Sequence, residues 1–513
     1  SEVVKVVASS KVKVKVPSLL SVVDAMPFPS APSLPLVPFV PAAPVAPVAP
    51  VAPVVPTTVA MSTAGDEVTA LTSAQNITAI LSDDSTKTTL NAGDEVTGVD
   101  GSGSTITITD SSGADITASE TPDVRGVDNV VINFDSLAVN GTAQVEVAVT
   151  DFAKANAYSF DVVNTSSVVK DIVLTGTLDG ATVTTSSDFS AVKITPAASG
   201  NDVVAVVNNT DAALVVVNVA GNVTATGAGD LNVTSSTTTG LVDLTAAGDL
   251  TATAAAALTF KANATAGDLT VTSSAAALLV DVEATGDVTL TDATAATDIN
   301  VVSGGDVSIA KAGAGDINVV ADGTIEVSGT ISSTSATLSG AGNSTVKADS
   351  LATLSISGNG ASTKYSMAND GHDALATVNV TGDQDVNLVI IGDEIGGALK
   401  INDSSTGKFT LDIGTTAGVV DLSGGDVIDQ LDINVDLAGN NLSVASGQVV
   451  NLTTAQTTDS DLIVGGAANA ATNSVTISLD DGVANTAAVD LSTLDITQAK
   501  TVIINADTDI NKI

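Results

Sequence analysis

The chain of 513 residues carries 58 acidic against 17 basic side chains, a net charge of −41, and is 44% apolar but only 2% aromatic, with no Cys and no Trp. Without Cys there are no disulfides, zinc–thiolate sites or iron–sulfur ligands; the acidity disfavours nucleic acid, whose phosphates are held by Lys and Arg. A single His (His372) and a single Arg (Arg125) leave little for acid–base or phosphoryl chemistry.

The chain opens on an arm unlike the rest. Lys11, Lys13 and Lys15 alternate with Val12, Val14 and Val16, the period-2 pattern of a β-strand with one basic face, within residues 1–16. Residues 17–60 follow as a proline-rich arm. Ten prolines recur at every third position from Pro29 through Pro41 to Pro56, which matches the three residues per turn of polyproline II and predicts a rod of about 85 Å. A solvated spacer does not need Leu34, Leu36, Val37, Phe39 and Val40; an arm lying along a protein surface does. Residues 1–60 hold Lys5, Lys11, Lys13 and Lys15 against Glu2 and Asp24, so a net positive segment is tethered to a very acidic body. Such a strand fits addition to the sheet edge of a neighbouring copy, which would propagate if used head to tail. It equally fits folding back onto its own body.

From residue 61 the sequence predicts short Val/Ile/Thr/Leu strands broken by Gly, Asp, Asn and Ser, an all-β class. The clearest order lies within 201–360. Gly-Asp pairs ending in Asp230, Asp249, Asp268, Asp287 and Asp306 recur every 19 residues. Each is followed by an apolar–polar–apolar triplet such as Leu231-Asn232-Val233, and a second strand (GLVDLT at 240–245, ALTFKA at 257–262) completes each period. Two strands and two turns per 19 residues describe one coil of a β-solenoid or β-roll. Gly at the turn is expected to supply positive φ, and the following Asp to bond backbone N–H groups in that turn. The register breaks near 316–324. Residues 61–200 and 361–513 are expected as flanking β-domains or irregular coils.

Stacked coils lie about 4.8 Å apart, so the aspartate column becomes a ladder of like charges, each neighbouring pair repelling by about 0.9 kcal/mol even in bulk water. It must be splayed into solvent or neutralised. Ca²⁺ is the expected ion because carboxylates and turn carbonyls are its ligands, with Asp230, Asp249, Asp268, Asp287, Asp306 and Asp316 as the candidate residues. The alternative is a row of exposed Asx turns with diffuse counterions.

Gly93-Asp94-Glu95-Val96-Thr97-Gly98, the strand STITIT at 104–109 and VRGVDNVVINFDSL at 124–137 resemble bacterial surface-layer proteins of the Thr/Ala/Gly/Asp-rich type related to the calcium β-roll (RTX) proteins, and AGDEVTA at 64–70 repeats the turn. The resemblance covers most of 61–513 in composition and only these pieces in motif. It implies a self-assembling, calcium-dependent coat on the outside of a prokaryotic cell. The complete calcium nonapeptide is missing, and the proline arm is not part of that pattern.

Enzymatic function is not expected. His372 sits in an NDGHD turn, the acid pairs Asp83-Asp84 and Asp480-Asp481 read as solvated turns, and Tyr158 and Tyr365 are the only tyrosines for a carbohydrate platform. No run of about 18–20 apolar residues predicts a membrane span. The expectation is therefore a secreted structural subunit whose partners are copies of itself and cell-surface polysaccharide. Its assembly arm would include Lys11, Lys13, Lys15, Pro29, Pro41 and Pro56. A filament or sheath built by strand exchange, and a calcium-stiffened monomeric adhesin, are the alternatives.

Overall fold

The computed structural model describes residues 57–505 apart from connecting segments, the longest of which are 112–122, 136–143, 163–169, 392–398, 453–459, 466–472 and 479–492; residues 1–56 and 506–513 lie outside the described residues. Within the unit Val55–Ile513 the described residues form a β-solenoid. All described elements are strands, and their pairings are parallel from Thr57–Ala60 on Gln75–Leu81 through to Ser474–Ser478 on Thr501–Asn505.

Each coil of the central region contributes one strand to each of two faces. On the first face Leu241–Ala246, Thr259–Ala264, Leu279–Ala284 and Asp298–Ser303 stack in register. On the second, Leu231, Leu250, Leu269, Val288 and Val307 form one column and Val233, Ala252, Val271, Leu290 and Ile309 the next. Both columns are buried, while Asn232, Thr251, Thr270, Thr289 and Ser308 between them reach solvent. The period-2 alternation in the sequence is thus the core pattern itself. Phe260 shares its coil with Ala252, Ala254, Ala257, Ala262 and Ala264, all buried, and these small side chains leave volume for the ring.

In 61–200 and 361–505, expected as flanking β-domains or irregular coils, the described strands continue the same stack with coils of less even length. Asn129–Phe134 pairs with Ala157–Val162, and Thr363–Ala368 with Val386–Ile391. The first coils add a short wall of Glu67–Val68, Glu95–Thr97, Asp123–Arg125 and Phe152–Ala153. A comparable wall near the end holds Val420–Asp421, Leu442–Val444, Ser460–Val464 and Leu494–Thr497.

The two faces merge where Ser335–Val346 and Thr353–Ala368 turn the corner as single long strands. A register shift falls between Gly340 and Gly342, and Gly342 takes φ 65°. No Gly-Asp turn closes this corner. Instead the fully buried Tyr365 hydroxyl accepts the Gly340 N–H at 2.8 Å and donates to the Ser357 carbonyl at 2.8 Å, which satisfies backbone groups that the turn would otherwise have bonded.

Candidate functional site

The five Gly-Asp turns stand in a row along one edge of the solenoid. The Oδ1 of Asp230 accepts the backbone N–H of Asp249 at 2.9 Å, Asp249 accepts that of Asp268 at 2.9 Å, Asp268 that of Asp287 at 2.8 Å, and Asp287 that of Asp306 at 2.7 Å. The row ends where Thr324 replaces the next Asp and donates both its N–H, at 2.7 Å, and its hydroxyl, at 3.0 Å, to Asp306 Oδ1. In the opposite direction the carbonyl of each later Asp accepts from the coil before it: Leu231 N–H to Asp249, Leu250 to Asp268, Leu269 to Asp287. Every carboxylate therefore bonds the coil above it rather than its own turn, a departure from the expected Asx turn. A carboxylate–N–H bond contributes about 1.5–3 kcal/mol when shielded and less when exposed. That offsets the roughly 0.9 kcal/mol repulsion between neighbours.

The glycines serve this ladder by their size. None of Gly229, Gly248, Gly267, Gly286 and Gly305 has positive φ, contrary to the turn geometry expected of them. A Cβ on Gly248 would lie 2.1 Å from Asp230 Oδ1, and one on Gly286 would lie 2.0 Å from Asp268 Oδ1. Gly248, Gly267, Gly286 and Gly305 are each the space into which the preceding coil's carboxylate reaches.

Asp316 does not belong to the row. It opens the strand Asp316–Ala321 on the first face, stacked between Asp298 and Ser335. All six candidate aspartates are exposed. Among the described residues no group of three or more His, Cys, Asp or Glu side chains is gathered as a metal cage. In the row, each carboxylate commits Oδ1 to an N–H and the carboxylates follow one another singly along the edge.

The same device recurs outside the Gly-Asp row. Asn222 Oδ1 accepts Leu241 N–H at 2.8 Å across the same 19 residues, and Asp385 Oδ1 accepts Lys408 N–H at 2.8 Å across 23, a coil length that a search at one period misses. In the resemblance motif, the buried Asp94 accepts from Asp66 N–H at 2.7 Å and Asn91 N–H at 2.6 Å.

Asp128 accepts from Gly101 N–H at 2.7 Å and Gly103 N–H at 2.6 Å. Burial pushes the Asp128 carboxyl up, but these N–H groups, with Ser104 and the Ser102 hydroxyl, outweigh it and hold it below the ordinary carboxylate value. A folded-state pKa below the unfolded one adds stability that is complete above the ordinary carboxylate range and is lost as pH falls through the folded pKa. Acidification below about pH 4 is therefore expected to lower the protection of the Gly101 and Gly103 amides relative to the intrinsic exchange rate at the same pH. Asp128→Asn, which leaves one acceptor oxygen for two N–H groups, should lower the protection of one of them already at neutral pH and change little further with acid.

Other candidates are placed as structure. Tyr158 is buried and donates to the Phe152 carbonyl at 3.1 Å; burial pushes its phenol up to about 12. With Tyr365 in the core as well, neither tyrosine offers a sugar platform. Arg125 pairs with Asp123, and Asp84 accepts from Thr86 and pairs with Lys87, both at the surface. An open polar groove of about 330 Å³ lies over the second face, lined by Asn343, Lys364, Asn387 and Lys408 among others. His372, Asp83, Asp480 and Asp481, and the arm residues Lys11, Lys13, Lys15, Pro29, Pro41 and Pro56, lie outside the described residues. Among the described residues no helix is long and apolar enough to cross a membrane. No family model, curated protein or solved structure matches the chain.

Proposed function

We propose that the chain is a secreted, non-enzymatic structural protein that self-assembles into a lattice on the outside of a prokaryotic cell, in the manner of a surface-layer protein. Residues 1–56 dock on a neighbouring subunit, and the acidic turn edge takes up Ca²⁺. The observation that carries this reading is the parallel stack of described strands from Thr57 to Asn505, a stiff body with regular outer faces, preceded in sequence by a basic Val/Lys segment of opposite charge and a proline-rich segment. The row of exposed carboxylates supports the calcium part, since countercharge shared along the edge would relieve their mutual repulsion. A head-to-tail filament is the second reading, favoured by the exposed strand Thr501–Asn505 at the last described coil.

Removing residues 1–56 tests the docking role. The shortened chain is expected to remain a folded, soluble β-protein by circular dichroism and to form no ordered arrays at concentrations where the full chain does. Normal arrays from the shortened chain would remove the arm from the account.

A further inference from the structure

The last described coil leaves a strand with its core-facing side uncovered. Thr501–Asn505 (TVIIN) pairs on one side with Ser474–Ser478, Val502 against Val475 and Ile504 against Ile477. One coil earlier those columns are closed: Val475 is 1% and Ile477 0% exposed. In the final strand Val502 is 41% and Ile504 40% exposed, and among the described residues no strand pairs with its far edge. An apolar β-edge of this kind is a template for another chain unless it is capped.

Resting on the self-assembly reading above, we propose that this edge is the acceptor for residues 11–16 of a second copy. That segment would continue the stack as one more parallel strand, with Val12 over Val502 and Val14 over Ile504. The segment KVKVKV has the required period: its valines fall on the two uncovered core columns, and Lys11, Lys13 and Lys15 fall on the outward positions beside Thr501, Ile503 and Asn505. Its charge suits a body that carries nearly all of the 58 acidic residues. The proline-rich segment between it and Thr57 gives it the expected reach of about 85 Å to another molecule. The opposite register parity would set lysines on the core columns, so the pairing is specified by sequence. The contact joins the last described coil of one body to the arm of the next, is heterologous, and propagates.

The chain has no Cys, so engineered cysteines report cleanly. Full-length Val14→Cys and full-length Ile504→Cys, mixed and mildly oxidised, are expected to give a disulfide-linked dimer, because adjacent strands place Cα atoms within disulfide range. Lys13→Cys with Ile504→Cys should give at least tenfold less. On the unmodified protein, excess peptide of residues 9–16 should raise the concentration needed for assembly at least tenfold by capping the edge. Electron micrographs of the unmodified chain under the same conditions separate the two levels of the argument. Ordered arrays with no Val14–Ile504 crosslink and no peptide effect would overturn this acceptor site while leaving self-assembly standing. A crosslink formed only within single chains of the Val14→Cys/Ile504→Cys double variant at high dilution would replace the second copy by fold-back. Crosslinking of Val59→Cys, in place of Val14→Cys, to Ile504→Cys would assign the edge to the first body strand of the next copy and likewise overturn the proposal.

Discussion

Gly267→Ala is expected to cost about 3 kcal/mol or more and to loosen the coils on either side of it. A Cβ there would lie 2.2 Å from Asp249 Oδ1, 2.6 Å from Asp249 N and 2.7 Å from Gly248 C. The carboxylate can swing away, but the two backbone atoms move only if the coils separate. Gly248→Ala makes a milder comparison, since its backbone neighbours stand off at 3.1 and 3.2 Å and the main obstacle is Asp230 Oδ1 at 2.1 Å. It should cost about 1–2 kcal/mol, and Asp230→Ala in the same chain should recover part of that loss; Asp249→Ala should do little for Gly267→Ala. Because a repeat stack unfolds in local steps, the readout is amide exchange over 240–290 rather than one melting temperature. Equal exchange in all variants would mean that the carboxylates do not occupy the glycine notches.

The second large effect separates the hydrogen-bonding role of the ladder from its charge. Replacing Asp249, Asp268 and Asp287 together by Asn keeps an Oδ1 acceptor for each N–H and removes three charges; replacing them by Ala removes both. The Asn variant should match the parent in stability to within about 1 kcal/mol without calcium, the Ala variant should lose about 3 kcal/mol, and both should lose stabilisation by Ca²⁺. For the parent, calcium at a hundredfold excess over its dissociation constant adds about 2.7 kcal/mol per independent site, read as a shift in urea midpoint. If the Asn variant responds to calcium as the parent does, the ion is held elsewhere.

Much of this architecture was readable in the residues. The strict 19-residue spacing of Asp230 through Asp306 gave the coil length, and the triplets after each Asp gave the buried columns, because period 2 in a strand maps directly onto inside and outside. The role of the glycines was not readable. A glycine in a turn usually signals positive φ, whereas here the reason is an atom 19 residues away that only stacking brings near. Asp316, grouped with the others only as a candidate calcium residue, lies at the break in the 19-residue register and opens a first-face strand above Asp298. The regularity of 201–360 also hid the kinship of the outer regions. The same Asp-to-N–H device operates at Asp385 and Lys408, but across 23 residues, so a search at one period passes over it. Tyr365 shows a third limit: nothing in STKYSMA announces that its hydroxyl replaces a turn by bonding Gly340.

The acidity of the chain thus has a structural share and a remainder. Many aspartates hold one coil to the next through backbone N–H groups, and their outer oxygens leave a charged edge. In the proposed function, screening of that edge by a divalent cation and attraction of the basic segment would act in the same direction, toward assembly.

The most direct test is electron microscopy of the purified full-length chain, concentrated with Ca²⁺ and in parallel with a chelator. The account predicts ordered sheets or filaments with calcium, and dispersed or poorly ordered particles without it. Monodisperse single molecules at every concentration, with and without the ion, would contradict it.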